Sequence, residues 1–190
     1  DLAEQQYVER RRRIGTRVIF KSPASPLEAN MEQAFDSLLA FGEGTSVSVL
    51  SIERRDATAR VSASLQIEPG APVIRTVRIR SRDSMPIGYI VSYVPVVHGA
   101  CLTREALTDA PILKVLATAG LKPRRAEQTV NAMLADGDMV DALGVAPFSA
   151  ILRITRTVLD DQDKPFLLTY AHYRADRFHL RMDLQAPPAA

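Results

Sequence analysis

Residues 73–82 read Val-Ile-Arg-Thr-Val-Arg-Ile-Arg-Ser-Arg, and this stretch predicts a β-strand. Its β-branched residues are typical of strands. Because side chains alternate between the two faces of a strand, Arg78, Arg80 and Arg82 share one face. Neighbouring guanidinium groups repel one another, and each offers a planar set of donors to a carboxylate or a phosphate. The stretch therefore indicates either a solvent-exposed face or an anion site, and the pattern leaves both open.

The unit that contains this strand occurs twice, at an offset of about 78 residues. Residues 57–65 align with residues 135–143, and each segment is followed by a proline. Further along, Arg75 aligns with Arg153, Arg78 with Arg156, and Tyr93, after a one-residue slip, with His172. The chain is therefore predicted to contain two copies of a strand–helix–strand–turn–strand unit.

The predicted elements of the two copies have similar lengths and the same order. Strands are expected at 46–55, 73–82 and 87–95 in the first copy and at 123–133, 149–159 and 166–175 in the second. Helices are expected at 57–66 and 135–143, with two more between the copies at 103–107 and 111–119. This pattern predicts an α+β fold: a mostly antiparallel sheet with helices on one side, related halves, and a ligand cleft where the halves meet.

Length and composition limit the class of protein. The chain has 190 residues, of which 46% are hydrophobic and 24% charged, enough for one large domain or two small ones. No apolar run reaches the roughly 18 residues of a membrane-spanning helix. The single cysteine, Cys101, rules out a disulfide framework and suits a reducing compartment. We therefore expect a soluble cytoplasmic protein.

The basic excess lies at the N-terminus, since residues 1–21 hold six basic and three acidic residues. The cluster and the β-prone residues around Gly15 predict a two-stranded hairpin whose arginines contact DNA phosphates without reading bases. The alternative is a solvent-exposed basic tail. The candidate DNA contacts are Arg10, Arg11, Arg12, Arg13 and Arg17. Residues 22–34 contain two prolines and small polar residues, and they predict a linker.

Motifs for metal or cofactor chemistry are not found in the sequence. His98, His172 and His179 share no spacing typical of metal ligands. No glycine-rich phosphate loop and no Gly-x-Ser-x-Gly motif occurs. A Cys101–His98 pair is conceivable, but a small hydrophobic role for the cysteine is favoured. We predict no cofactor, no metal and no enzymatic activity.

Several ordered motifs resemble one family of bacterial regulators. Residues 7–19, Tyr-Val-Glu-Arg-Arg-Arg-Arg-Ile-Gly-Thr-Arg-Val-Ile, resemble the wing of the winged helix-turn-helix of GntR-family transcription regulators. Residues from about 35 to 180 resemble the UTRA domain, the effector-sensing module of the HutC-type subfamily. The supporting motifs are Arg78-x-Arg80 before Pro86, Tyr93-x-Pro95, Leu143-Gly-Val-x-Pro147, Asp163-Lys-Pro165 and the closing Tyr173-Arg-Ala-Asp-Arg-Phe178.

The resemblance implies a chorismate-lyase-like fold, a homodimer, and a small effector that changes the affinity for operator DNA. It divides the chain into a winged helix-turn-helix remnant at 1–21, a linker at 22–34 and a UTRA effector-binding and dimerisation domain at 35–182. The first helices of the helix-turn-helix are not in the sequence, so we expect a regulator truncated within its DNA-binding domain. No contact with a membrane is expected.

The resemblance also implies a ligand site. In sugar-phosphate-sensing relatives, residues that match Arg78, Arg80 and Tyr173 hold the anion. Four positions that are polar there are apolar in this chain: Ile90, Pro111, Leu113 and Leu167. Sugar hydroxyls would lack partners beside such residues, so a carboxylate with an apolar body is favoured over a sugar phosphate. The candidate ligand-binding residues are Arg78, Arg80, Tyr173, Arg82, Tyr93, Thr169 and His172.

Two alternatives of other classes remain open at this point. One is a chorismate-lyase-like enzyme, although that activity needs an acidic residue near the arginines, where Ile90 and Leu167 stand. The other is a dimerisation module without effector binding, in which the arginines form ion pairs across an interface.

Overall fold

A computed structural model describes residues 8–11, 15–18, 27–30 and 44–181 of the chain. Its centre is a six-stranded antiparallel sheet made of two three-stranded units. The first unit contains β4 (Ser46–Asp56), β5 (Pro72–Arg82) and β6 (Met85–Pro95). The second contains β7 (Arg125–Leu134), β8 (Ala150–Leu159) and β9 (Pro165–Arg174). The strand order β4-β5-β6-β9-β8-β7 reads the same in both units from the edge inward, so the units meet at β6 and β9.

Four short α-helices accompany the sheet in the described part of the chain. They are α1 (Ala59–Leu65), α2 (Arg104–Asp109), α3 (Ile112–Thr118) and α4 (Gly137–Leu143), and a 3-10 helix spans Val96–Cys101. The sequence-based bounds of the four helices and of these six strands agree with the structure to within two residues. The predicted α+β fold with two repeated units is therefore confirmed. No helix among the described residues is long and apolar enough to cross a membrane.

Two further strand pairings involve residues near the N-terminus. Strands β1 (Val8–Arg11) and β2 (Gly15–Val18) pair antiparallel, as the hairpin prediction requires. Strand β3 (Leu27–Asn30) pairs in parallel with β10 (Phe178–Arg181). The linker predicted at 22–34 thus contains a strand, which local sequence did not indicate because its partner lies about 150 residues further along the chain.

Helices pack on both faces of the sheet, and the prediction of helices on one side was wrong. On one face, α1 and α4 bury Val61, Leu65, Met139 and Leu143 against the sheet. On the other face, α2 and α3 bury Leu107, Ile112, Leu113 and Leu116. The reason is visible in β5 and β6, whose central residues are buried on both sides, so that each face needs a cover.

The helices α1 and α4 occupy equivalent places in the repeat and have equivalent caps. The side chain of Thr58 accepts a hydrogen bond from the Val61 amide, and the side chain of Asp136 accepts one from the Met139 amide. Both helices end at a residue in the left-handed conformation, Gln66 in α1 and Gly144 in α4. The two units are therefore built alike down to the ends of their helices.

The register of β6 and β9 defines a pseudo-twofold axis. Val91, which aligns with Tyr170 in the repeat, is also paired with Tyr170 across the two strands. A half-turn that exchanges Val91 with Tyr170 also exchanges the two neighbouring pairs, Ser92–Thr169 and Ile90–Ala171. The axis therefore passes through the Val91–Tyr170 pair, perpendicular to the sheet, and emerges on both faces.

Candidate functional site

A cavity of about 70 Å³ lies between the sheet and the start of α3, on the face that α2 and α3 cover. We call it the arginine cavity. Its lining combines three arginines, two hydroxyl groups and apolar residues: Arg78, Arg80, Ile90, Pro111, Ile112, Leu113, Arg156, Val158, Leu167, Thr169, Ala171 and Tyr173. None of these described lining residues is acidic.

Arg78 lines this cavity and has only 4% of its surface exposed. Its Nη2 donates a hydrogen bond to Ser92 Oγ at 3.0 Å, and Ser92 Oγ lies 3.0 Å from Thr169 Oγ1. Its buried Nε has no hydrogen-bond partner among the described residues. The guanidinium is thus held from one side, while part of its donor capacity remains for a ligand.

The other two arginines approach from neighbouring positions in the sheet. Arg80, 6% exposed, donates from Nη1 to Thr45 Oγ1 at 2.7 Å. Arg156, on β8, donates from Nε to Gln128 Oε1 at 2.8 Å and also from Nη2 to the same oxygen. Both guanidinium groups are therefore oriented in part by neutral side chains, Thr45 for Arg80 and Gln128 for Arg156.

Burial strongly affects the protonation of these arginines. Burial, with the charge of Arg80 as a second cause, lowers the pKa of Arg78 to about 10. Burial likewise lowers the pKa of Arg156 to about 10. Both values lie well above neutral pH, so both groups stay charged. A small cavity that holds several positive charges and no acidic lining residue in the described structure is suited to an anion.

Tyr173 forms one wall of the arginine cavity. Its ring stacks on Phe178 with ring centroids 4.1 Å apart and an angle of 12° between the planes. Gly88 makes this position available, since a Cβ there would lie 2.7 Å from Tyr173 Cε1. Burial raises the pKa of the Tyr173 hydroxyl, although nearby arginines act in the opposite direction. The hydroxyl is therefore a neutral donor for an anion.

The apolar substitutions noted in the sequence lie in the same cavity. Ile90, Pro111, Leu113 and Leu167 all line it, together with Ile112 and Val158. The cavity thus combines a strongly basic floor on the sheet with apolar walls.

The structure brings together four of the seven candidate ligand-binding residues: Arg78, Arg80, Thr169 and Tyr173. Tyr93 and His172 line a different cavity on the opposite face. Arg82, the last residue of β5, lines neither of these two cavities. The solvent-exposed interpretation of the arginine face was wrong, since Arg78 and Arg80 are buried.

Arg156 was not among the candidates, although a signal for it was present. The repeat aligns Arg78 with Arg156, and the structure places both in the arginine cavity. No feature of the sequence indicated Ser92, whose hydroxyl accepts a hydrogen bond from Arg78. Its role depends on the pairing of β6 with β5 and β9.

The predicted DNA contacts are described only in part. Arg11 is exposed and forms an ion pair with Glu9, at 3.0 Å between Nε and Oε1, and Arg17 is exposed. Arg12, Arg13 and the side chain of Arg10 lie outside the described residues. Contact between these arginines and DNA stays a prediction.

The remaining titratable candidates form no reactive group in the described structure. Cys101 Sγ donates to the backbone carbonyl of His98 at 3.5 Å, and its side chain packs against the core beneath α3. No group of three or more histidine, cysteine, aspartate or glutamate side chains placed to hold a metal ion is found among the described residues.

Comparisons with known proteins agree with this architecture. A family model described as "UTRA domain" matches residues 41–179. The chain is 28% identical to the HTH-type transcriptional regulator Rv0792c of Mycobacterium tuberculosis over 96% of its own length and 68% of that protein. It is 24% identical to the HTH-type transcriptional regulator RB1450 of Rhizobium meliloti over 67% of its own length and about half (52%) of that protein.

Solved structures show the same fold. The ligand-binding domain of a GntR-family regulator from Bordetella bronchiseptica is 26% identical and superposes with a TM-score of 0.69, covering 74% of this chain and 91% of that one. PhnF from Mycobacterium smegmatis, 21% identical, superposes with a TM-score of 0.74 and covers 98% of this chain and 81% of that one.

Proposed function

The chain belongs to the UTRA domain family, and from this premise we propose that it is the effector-sensing and dimerisation part of a GntR-type transcription regulator of the HutC type. The curated relatives are transcriptional regulators, and one similar structure is the ligand-binding domain of such a regulator. In the proposed role, a small anionic effector binds this chain and alters the binding of operator DNA by the whole regulator.

The effector is a compact anion with an apolar body, and a carboxylate fits better than a sugar phosphate. The observation that carries this proposal is the burial of Arg78, Arg80 and Arg156 around one cavity whose described lining contains no acidic residue. A carboxylate can accept parallel hydrogen bonds from a guanidinium group. Sugar hydroxyl groups would lose their hydrogen bonds to water against Ile90, Leu113 and Leu167.

The size of the arginine cavity suggests how binding changes the protein. A volume of about 70 Å³ holds a carboxylate group but not a whole effector, because ligand pockets usually measure about 300–1,000 Å³. The apolar wall from the first turn of α3 must therefore move outward when the body of the effector enters. Effector binding is in this way coupled to the position of α3.

A second connection leads toward the N-terminal segment. Arg80 donates to Thr45, the residue directly before β4. An anion that draws the Arg80 guanidinium toward itself would lengthen this hydrogen bond, so binding in the cavity is coupled to the point where the chain enters the sheet. A coupling free energy of about 1–3 kcal/mol between the sites would change DNA affinity by about 5- to 150-fold.

A ligand screen by thermal unfolding tests the proposal. Small carboxylates and phosphates are added to the wild-type protein, to an Arg78→Gln/Arg80→Gln variant, and to an Arg82→Gln variant as the matched control on the same strand. An effector at about 100 times its dissociation constant adds roughly 2.7 kcal/mol to the free energy of unfolding. We expect carboxylates to stabilise the wild-type protein and the control but not the double variant.

Two results of this screen would contradict the proposed ligand site or ligand. Stabilisation that persists in the double variant would place the anion elsewhere, and stronger stabilisation by a hexose phosphate would overturn the choice of ligand. Nothing in the described lining of the arginine cavity supports the chorismate-lyase-like alternative, since the positions where an acid is needed are the buried Ile90 and Leu167.

A further inference from the structure

A larger cavity, of about 350 Å³, lies on the opposite face of the same sheet, between α1 and α4. We call it the tyrosine cavity. It shares no lining residue with the arginine cavity, and half of its lining is basic or aromatic: Thr58, Arg60, Val61, Arg75, Tyr89, Val91, Tyr93, Met133, Asp136, Asp138, Met139, Arg153, Tyr170 and His172. Its volume lies within the usual range for small-molecule sites.

The tyrosine cavity is centred on the pseudo-twofold axis. Val91 and Tyr170, the pair through which the axis passes, are both in its lining. Arg75 on β5 and Arg153 on β8 are equivalent in the repeat and lie at opposite corners of the cavity floor. Arg75 is paired across the strands with Tyr93, and Arg153 with His172. A ligand at the centre would therefore meet an arginine and an aromatic ring on each side.

Two polar atoms in this cavity are buried without a hydrogen-bond partner in the described structure: Arg153 Nε and the Tyr170 hydroxyl. Buried polar groups are nearly always paired, and an unpaired group costs about 1–3 kcal/mol. Both atoms are covered in the described structure, but they belong to side chains that line the same cavity, so a small rotation of these side chains would present both to one ligand with acceptor atoms. An unpaired Arg Nε and a phenolic hydroxyl are complementary to a carboxylate.

Aromatic rings provide the walls for an apolar ligand body. Tyr93 and Tyr170 meet edge to face with centroids 6.2 Å apart, and Tyr89 lies 6.1 Å from the His172 ring. The guanidinium of Arg60 lies 5.6 Å above the Tyr170 ring centroid. A planar ring can pack between such side chains in the offset or edge-to-face arrangements that aromatic pairs favour.

The charges around the cavity limit the charge of the ligand. Three arginines, Arg60, Arg75 and Arg153, are opposed by Asp136 and Asp138. His172 is buried, which lowers its pKa, so it is neutral near pH 7. The lining therefore has an excess of one positive charge, which suits a monoanion better than a phosphate dianion.

We propose that the tyrosine cavity is a second ligand site, separate from the arginine cavity, and that it binds an aromatic monocarboxylate. The carboxylate pairs with Arg153 and the Tyr170 hydroxyl, and the ring packs among Tyr89, Tyr93 and Tyr170. The inference rests on the geometry of this face alone and stands whether or not the arginine cavity binds an effector.

Fluorine NMR can observe the two cavities separately in one sample. The chain has five tyrosines and no tryptophan. Of the four tyrosines that the structure describes, three line the tyrosine cavity and Tyr173 lines the arginine cavity. Protein labelled with 3-fluorotyrosine is titrated with benzoate, and signals are assigned with single Tyr→Phe variants. We expect benzoate to shift the signals of Tyr89, Tyr93 and Tyr170, and benzyl alcohol, which has no charge, to leave them in place.

Variants then test the proposed contacts. Arg153→Gln is expected to raise the dissociation constant for benzoate, taken from these shifts, by about tenfold or more. This is the effect of losing one charge-assisted hydrogen bond. Tyr170→Phe keeps the ring and should lower the affinity for benzoate less, as seen from the signals of Tyr89 and Tyr93. Arg124→Gln, at an exposed arginine, is the control. Arg78→Gln/Arg80→Gln should leave these three signals responsive.

Three results would overturn the proposal. The first is an absence of shifts for all three tyrosines at millimolar benzoate in a folded protein. The second is an equal response to benzyl alcohol, which would show a merely apolar site. The third is a change in the three tyrosine signals when only the protein concentration is raised, without benzoate, accompanied by a change in the sedimentation coefficient. That result would show that a second copy of the chain covers the cavity.

Discussion

Arg78 and Ile90 are paired across β5 and β6, and both side chains are at least 95% buried and line the arginine cavity. A buried guanidinium therefore lies beside an aliphatic side chain at a position where a carboxylate would compensate its charge. This juxtaposition leaves the positive charge available to a ligand, and it leads to the first prediction.

Ile90→Glu should remove carboxylate binding. A glutamate at this position would pair with Arg78 and occupy the donors that the ligand needs. We expect the dissociation constant for a stabilising carboxylate to rise by about tenfold or more, measured by isothermal titration calorimetry. Ile90→Gln adds similar bulk without charge and serves as the control. Equal affinities of the glutamate variant and the wild-type protein would show that Arg78 does not bind the ligand.

Arg78→Met should stabilise the ligand-free protein. Replacing buried charge by an apolar side chain of similar volume often stabilises a protein by about 1–4 kcal/mol, and Ser92 retains Thr169 as a partner. Urea unfolding should show a higher midpoint with an unchanged slope, while carboxylates lose their stabilising effect. The exposed Arg54→Met should change little. A clear loss of stability in Arg78→Met would mean that Arg78 is needed to hold the fold.

Carboxylate affinity should be constant between pH 7 and 9 and decline above about pH 10. The pKa values of Arg78 and Arg156 are lowered to about 10, so both arginines are protonated below that pH and lose their charge above it. Calorimetric titrations across this range, with circular dichroism to verify folding, provide the measurement. A decline that begins near pH 8 would indicate a different titrating group.

Gly88→Ala should displace the Tyr173 ring. The new Cβ would lie 2.7 Å from Tyr173 Cε1, and crowding of this kind costs about 1–3 kcal/mol. The expected result is a lower melting temperature and weaker anion binding. Gly137→Ala is the matched control, because a Cβ at the first residue of α4 meets nothing within 4 Å. If the two variants unfold at the same temperature, the close approach of Tyr173 to Gly88 is not tight in solution.

Stability should fall as the pH is lowered from 7 to 5, in part through His172. Burial lowers the pKa of His172 from 6.5 and nearby Arg153 acts in the same direction, while the Tyr89 carbonyl and Asp136 oppose them. Between the two pKa values the unfolded state binds more protons, so stability decreases with decreasing pH in that window. His98, whose pKa burial also lowers, contributes with the same sign.

His172→Gln should make this pH dependence shallower, and the exposed His179→Gln should leave it unchanged. Urea midpoints measured at several pH values compare the slopes directly. A slope that is the same in all three proteins would show that His172 keeps its ordinary protonation behaviour when buried.

The sequence predicted the elements of the fold well because their signals are local. Turn residues and β-branched runs indicated the six sheet strands, and the repeat aligned the halves. The strand β3 gave no such signal, since it forms only by pairing with β10 far along the chain. The burial of Arg78 also could not be read from its own strand, because α3 and the neighbouring strands create it.

The alternation of side chains along a strand explains why the structure does not bring all seven candidate residues together. His172 and Tyr173 are adjacent in β9, so their side chains lie on opposite faces and cannot line the same cavity. Tyr93 faces the same side as His172. Strand periodicity alone could therefore have divided the seven candidates between two faces, whereas which face carries a cavity depends on the packing of the helices.

The alignment of the arginine cavity with the pseudo-twofold axis has a consequence for the pose of its ligand. A ligand turned by half a revolution about that axis exchanges Arg78 with Arg156, so these two residues cannot distinguish its ends. Arg80, however, has Val158 as its counterpart, and both line the cavity. Tyr173 and the wall from α3 also lack an equivalent in the other half, so the described lining offers the two ends of an unsymmetrical ligand different surroundings.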